Sequence, residues 1–202
     1  MTRCRVSITV CAALLAAQAS AQPAPEAGYW DQPRNVARAF VQGCLQTEGQ
    51  PPAAVDWALS QGFEPLDPLR GNADELLAGQ PGSVLVAPDS QGRVLLAVAE
   101  GQRCTLWVDK AAGPALKLAM AAVLAEQAAK GAKLSVEVDR AVESAGAWRN
   151  HLQWRYRAFG ARGEYSIVAV TTLLPAPATQ ALNLSPARPL GPAFSPDGQP
   201  MR

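Results

Sequence analysis

The sequence predicts an α+β domain: an antiparallel sheet of two three-stranded units, helices packed on one face, and one helix tied to the sheet by a disulfide. Three observations predict it. Apolar residues recur at helical spacing over residues 31–61 and 114–130, while the segments from 83 to 109 and from 134 to 174 alternate with period two. Short polar or glycine-containing connections join consecutive strands, which favours hairpins over the long crossovers of a parallel sheet. One cysteine, Cys44, falls in a helical segment and another, Cys104, in a strand segment.

Asp31 stands as N-cap of the first helix, with Pro33 in its first turn and Val36, Phe40, Val41, Cys44 and Leu45 on one face. A second helix over Pro52–Gln61 buries Val55, Ala58 and Leu59, ends at Gly62 and lets Phe63 pack back on it. Residues 64–82 are turn-rich, with room for one helical turn at Asp74–Leu77. Ser83–Ala87, Arg93–Ala99 and Arg103–Asp109 then read as strands, with Cys104, Leu106 and Val108 pointing inward. Pro114–Lys130 is the strongest helical pattern, with Leu116, Met120, Val123 and Leu124 as its apolar stripe and Gly131 as its stop. Leu134–Glu143, Trp148–Phe159 and Glu164–Leu174 supply the second set of strands.

The ends read differently. Arg3 and Arg5 precede the apolar run Ile8–Ala17, and Ala19-Ser20-Ala21 offers the small residues of a cleavage site, so residues 1–21 read as a signal peptide cut before Gln22. The run is shorter than the roughly 20 apolar residues of a membrane-spanning helix. Residues 22–30 form a Pro/Ala/Gly lead-in, 31–174 a single domain, and 175–202 a Pro/Ala-rich tail expected to be disordered. The expected address is therefore the periplasm or the secreted space. Cys11 lacks the setting of a lipoprotein cysteine, so no lipid anchor is expected.

Cleavage also removes Cys4 and Cys11 and leaves Cys44 and Cys104, an even number in an oxidising compartment and not in a CxxC pair. A structural disulfide is the expected outcome, with two separate buried thiols as the alternative. The chain holds 18 Lys and Arg against 17 Asp and Glu, a formal net charge of +1. Near neutrality argues against nucleic acid or an anionic membrane as partner. One histidine in the whole chain argues against a Cys/His zinc site, and no cofactor is expected.

The sharpest polar pattern lies on one strand. Trp148, Leu152, Trp154 and Tyr156 take one face, and Arg149, His151, Gln153, Arg155 and Arg157 take the other, a stripe of about 27 Å at the usual strand rise. These five residues are the candidate binding strip, for a protein or for an anionic or polar ligand that arginine can hold through paired hydrogen bonds. The competing reading is a self-neutralised face. A turn at Ser144–Ala147 would set Glu143 opposite Arg149 and Glu137 opposite Arg155, with Leu134, Val136 and Val138 facing the core.

Catalytic sets are weaker. His151 would need a hydroxyl nucleophile and an orienting carboxylate, for which Thr172 and Asp139 are the nearest candidates. Glu137 with Asp139 and Glu143 could form a carboxylate pair for glycoside cleavage, but same-face spacing on one strand is first an ordinary polar face. No GxSxG, HExxH, P-loop or dinucleotide-binding pattern occurs. No catalytic residue is assigned, and the chain reads as a non-catalytic binding or accessory protein, against the alternative of a hydrolase whose site is assembled from distant residues. Trp57 and Trp107 are expected to be half-covered and Trp30 to lie against the first helix.

The order of Phe40-Val41-Gln42-Gly43-Cys44, Val55-Asp56-Trp57-Ala58, Gly62-Phe63, the alternation after Cys104 and the Ala-rich helix resembles a group of small uncharacterised envelope proteins of proteobacteria, over roughly residues 36–174. The resemblance implies a periplasmic setting. It implies no activity and lends no catalytic residue.

Overall fold

The computed structural model describes residues 28–67, 72–144, 146–161, 163–175 and 178–187. Residues 1–21, read from the sequence as a signal peptide, and most of the lead-in lie outside the described residues, as does the chain after 187. One antiparallel sheet of eight strands organises the domain, in the order β1-β2-β3-β4-β8-β7-β6-β5. The strands are β1 (Glu64–Pro65), β2 (Gly82–Val86), β3 (Val94–Ala99), β4 (Arg103–Ala111), β5 (Lys133–Ser144), β6 (Ala147–Arg157), β7 (Tyr165–Thr172) and β8 (Ala178–Pro186). Each half of the chain runs from an outer edge to the centre, where β4 meets β8. The halves hold four strands each, not three.

Helices α1 (Pro33–Phe40), α2 (Pro51–Ser60) and α4 (Gly113–Ala129) cover one face, and the short turn α3 (Ala73–Leu76) lies elsewhere. Alternation decides which side chains they meet: Leu96, Leu106, Ile167, Leu182 and Leu184 are fully buried beneath them. From α4, Leu116, Met120, Val123 and Leu124 enter that core as the periodicity predicts. Arg34 of α1 pairs with Glu126 of α4 at 2.8 Å. Gly113 is held by close approach, because a Cβ there would overlap the backbone of Thr172.

A π-helical turn, Val41–Leu45, extends α1 and carries Cys44 onto β4, where the Cys44–Cys104 disulfide spans a Cα–Cα distance of 5.4 Å. The same turn presents Gly43 to the ring of Trp57, which leaves no space for a side chain. Trp30 joins the core, edge-on to Phe63 at 5.6 Å, and donates its indole N–H to the carbonyl of Pro88 at 2.7 Å.

Several sequence expectations need correction. Gln32, not Asp31, precedes α1; Asp31 sits in a 3₁₀ turn and pairs with Arg93 at 2.9 Å. Helix α2 starts at Pro51 and buries Ala54 and Ala58, so Leu59 faces outward. The segment 178–186 is no tail: it is β8, paired with β4 on one side and β7 on the other. Gln180, Leu182 and Leu184 alternate inward there, an alternation hidden in the sequence by Pro175, Pro177 and Pro186. The domain therefore runs beyond residue 174.

The β5–β6 hairpin departs from its expected register. Ser144 pairs Ala147 across a turn that ends in Gly146, where φ is +72°, and this puts Glu143 opposite Trp148 and Val142 opposite Arg149. A bulge between Val136 and Val138 then shifts the pairing once more. Beyond the bulge Val136 stays on the helix side but is 63% exposed at the sheet edge, while Val138 turns to the open face. Trp148 shares the face of Leu152 and Trp154 but lies 59% exposed at the strand's start.

A buried phenol sits under the helices. Tyr165 donates to Glu48 at 3.0 Å, and burial first, then this carboxylate, pushes its pKa up from 10.0 to about 12. A raised phenol pKa favours the neutral form in the folded chain. Its contribution to stability is complete below pH 10 and is lost as pH climbs through about 12. Tyr165→Phe should flatten that alkaline decline, measured as urea midpoints compared at about pH 9 and about pH 11.5. An unchanged alkaline slope would contradict this assignment.

Candidate binding face

The face away from the helices is open and mixed, with the strip residues beside Val138, Val168, Val170, Ala181 and Trp107. All five residues of the expected strip, Arg149, His151, Gln153, Arg155 and Arg157, lie on it and are half-buried, while Leu152, Trp154 and Tyr156 between them are buried on the other side. The two ends of the strip differ. Arg155 donates through Nε to Glu137 at 2.6 Å and through Nη1 to Glu164 at 3.2 Å; Glu164 also lies 3.7 Å from Arg157. These carboxylates, Glu137 foremost, raise the pKa of the Arg155 guanidinium. Gln153 donates to the other oxygen of Glu137 at 2.8 Å. At the opposite end Arg149 donates to the carbonyl of Thr179 at 3.2 Å, and His151 stands in the ladder between Val170 and Arg140. Neither Arg149 nor Arg140 has a carboxylate partner among the described residues.

Glu137 therefore does neutralise Arg155, by way of the bulge and not by direct opposition. Glu143 does not serve Arg149, because the hairpin register turns it to the helix side. Glu164 was legible in principle: it lies just ahead of β7, beside the end of a hairpin that pairs Arg155 with Ser166.

The catalytic sets come apart on the same geometry. Asp139 pairs with Leu152 in the ladder and faces the helices, where it binds Lys117 at 2.9 Å. It cannot orient His151 from there. With Glu143 also on the helix side, Glu137 is parted from both carboxylates proposed to work with it. Among the described residues no group of three or more His, Cys, Asp and Glu side chains is placed to hold a metal ion.

Between Glu137 and the β3–β4 turn lies an open trough of about 1170 Å³. Its walls include Glu137 and Val138 on one side and Glu100, Gly101 and Arg103 on the other. Two cross-strand rows make its floor. One runs Gln153, Val168, Asn183, Thr105; the next runs Arg155, Ser166, Ser185. Asn183 donates to the Thr105 hydroxyl at 2.7 Å. The turn α3 flanks the trough, with Leu76 and Leu77 beside Ala97 and Ala99. Asn183 and Ser185 belong to β8 and were invisible while that segment read as tail. Trp107 stands on the same face, between Leu95 and Ala181, half-buried, with its indole nitrogen buried and without a partner among the described residues.

Compared with protein-family models and with curated proteins, the chain matches none.

Proposed function

We propose that the chain is an exported, non-catalytic binding or accessory protein of the periplasm or the secreted space, and that its ligand lies in the trough on the open sheet face. The observation that carries this reading is the state of the trough floor. Its central cation and amides are held by neighbouring side chains, Arg155 between Glu137 and Glu164, Gln153 on Glu137, Asn183 on Thr105. A floor fixed before the ligand arrives loses little side-chain entropy on binding. An acid–base pair for hydrolysis would instead need its carboxylates free to exchange protons with substrate. The Cys44–Cys104 disulfide supports an oxidising address, and no helix among the described residues is long and apolar enough to cross a membrane.

The test compares the chain produced with its leader and recovered from the periplasm with a Ser166→Trp variant, whose indole would fill the trough without touching the core. Mass spectrometry of material retained from periplasmic extract is expected to show a component held by the unaltered protein and lost by the variant. Equal retention by both would remove the trough from the reading. Chemical turnover of the retained component would restore the hydrolase alternative. An intact mass that still includes residues 1–21 would refute the address.

A further inference from the structure

We infer that the trough receives an uncharged, polyhydroxylated chain, that is, a segment of neutral glycan. This names the ligand class for the binding reading above and rests on it.

Charge comes first. Among the residues that line the trough, Arg103 and Arg155 stand with Glu100 and Glu137, two of each sign, while Arg157 and Lys133 lie beyond its end with Glu164 beside Arg157. Arg155, the cation nearest the centre of the floor, is already shared by two carboxylates. A balanced surface gives neither an anion nor a cation a net attraction, and an anion would have to displace Glu137 or Glu164 to reach the Arg155 guanidinium. Of the cations without a carboxylate partner among the described residues, Arg140 stands opposite His151, four residues along β6 from Arg155, or about 14 Å, and Arg149 six residues along, or about 20 Å; neither lines the trough.

The free hydrogen-bonding capacity of the floor comes second. Gln153 and Asn183 each spend an amide N–H on a fixed partner, so each carbonyl oxygen is oriented and left to accept. Ser166 and Ser185 are direct cross-strand partners and add two hydroxyls that can donate or accept. Arg103 adds donors on the wall. Acceptors and donors thus surround Val168 over a patch about 10 Å across two strand spacings. Vicinal hydroxyls, each both donor and acceptor, match that pattern, whereas a carboxylate or phosphate offers acceptors only.

Shape and the neighbouring Trp107 come third. A trough of about 1170 Å³ exceeds the usual 300–1,000 Å³ of a small-molecule pocket and is open along its length, which suits a chain of several rings over a single metabolite. Trp107 lies two residues along β4 from Thr105, on the same face. Its polar nitrogen is turned inward, so what it shows to solvent is ring carbon, the surface on which the C–H face of a sugar ring stacks. A peptide adding to the floor as a strand would need an unpaired edge there, and the strands of the floor are paired on both sides from β6 to β4.

The experiment is equilibrium binding of the mature protein to cello-, chito-, xylo- and malto-oligosaccharides, with oligogalacturonate as the anionic comparison, at about 0.05 and about 0.5 M NaCl. The expected result is binding of at least one neutral oligosaccharide with an affinity that changes less than about twofold across that salt range, because no ion pair is formed. Gln153→Leu should weaken it about tenfold, and Ser166→Ala, which disturbs no existing pair, by a smaller factor. Binding that ignores both substitutions overturns the placement. Binding of oligogalacturonate alone, falling as salt rises, overturns the ligand class and points to the Arg140–Arg149 end. Absence of all oligosaccharide binding overturns the glycan inference; the Ser166→Trp comparison then decides separately whether the trough binds anything.

Discussion

Ending the chain at Pro175 is expected to abolish cooperative folding. The deletion removes β8, the strand through which β4 and β7 are joined. Backbone pairing would be lost along Cys104–Val108 on one side and Tyr165–Val170 on the other. Leu182 and Leu184 are fully buried, and burial of each contributes about 1.5–3 kcal/mol. Each ladder hydrogen bond adds a net of about 1 kcal/mol. Gln180 goes as well; it accepts from the Thr172 N–H at 2.8 Å and donates to the Ala111 carbonyl at 2.9 Å, closing the place where the β4–β8 pairing shifts. Together these losses match or exceed a typical total stability of about 5–15 kcal/mol. The truncated chain would also carry two new central edges, which invite association. Far-UV circular dichroism with urea titration should show a broad or absent transition, and size-exclusion chromatography should show aggregate. Leu182→Ala in the full chain gives a graded check, with an expected loss of about 2–5 kcal/mol. A truncated chain that unfolds cooperatively at the same midpoint would show that β8 is dispensable.

That strand also shows where sequence reasoning reaches its limit. Helix α4 was legible because its stripe is wide and its ends are marked by Pro114 and Gly131, so that local signals and burial agree. The strands β3, β4, β6 and β7 were legible because period two held through at least three inward residues. In β8 the inward residues are Gln180, Leu182 and Leu184, and a buried glutamine breaks the apolar pattern while flanking prolines imitate a linker. Only the partners on either side explain why this segment is ordered. The disulfide was legible from compartment and parity alone, since neither depends on register.

The candidate site was legible by face and not by partner. Alternation put Arg149 to Arg157 on the open side correctly, because side-chain parity within one strand is fixed by its own geometry. Which carboxylates meet them depends on the neighbouring strand, where a turn offset and a bulge each move the pairing by one residue. A shift of one residue turns a side chain to the other face. So Glu143 was lost to Arg149, Asp139 went to Lys117, and Glu137 met Arg155 only because the bulge returns it to the open side. The trough itself could not be foreseen, since Asn183 and Ser185 of its floor come from β8.

Removing the disulfide is the other change of large expected effect. Cys44 and Cys104 are 60 residues apart, and the loop-closure model assigns a cross-link of that span about 4 kcal/mol through the unfolded chain. Both residues are fully buried, and the bond joins the turn after α1 to the start of β4. Cys44→Ala with Cys104→Ala should therefore lower stability by about 3–4 kcal/mol, a substantial part of the typical total. The serine pair should cost more than the alanine pair. Two hydroxyls would be enclosed with only the Gly43 carbonyl near the Cys104 position, and an unpaired buried hydroxyl costs about 1–3 kcal/mol. Urea titration of the oxidised protein, the reduced protein and both double variants separates these contributions. Reduction should move the midpoint of the unaltered protein most of the way to that of the alanine pair. A reducing agent that leaves the midpoint in place while both thiols become alkylatable would show that loop closure contributes little, and that α1 is held on the sheet by Val36, Phe40 and Leu45 without help from the bond.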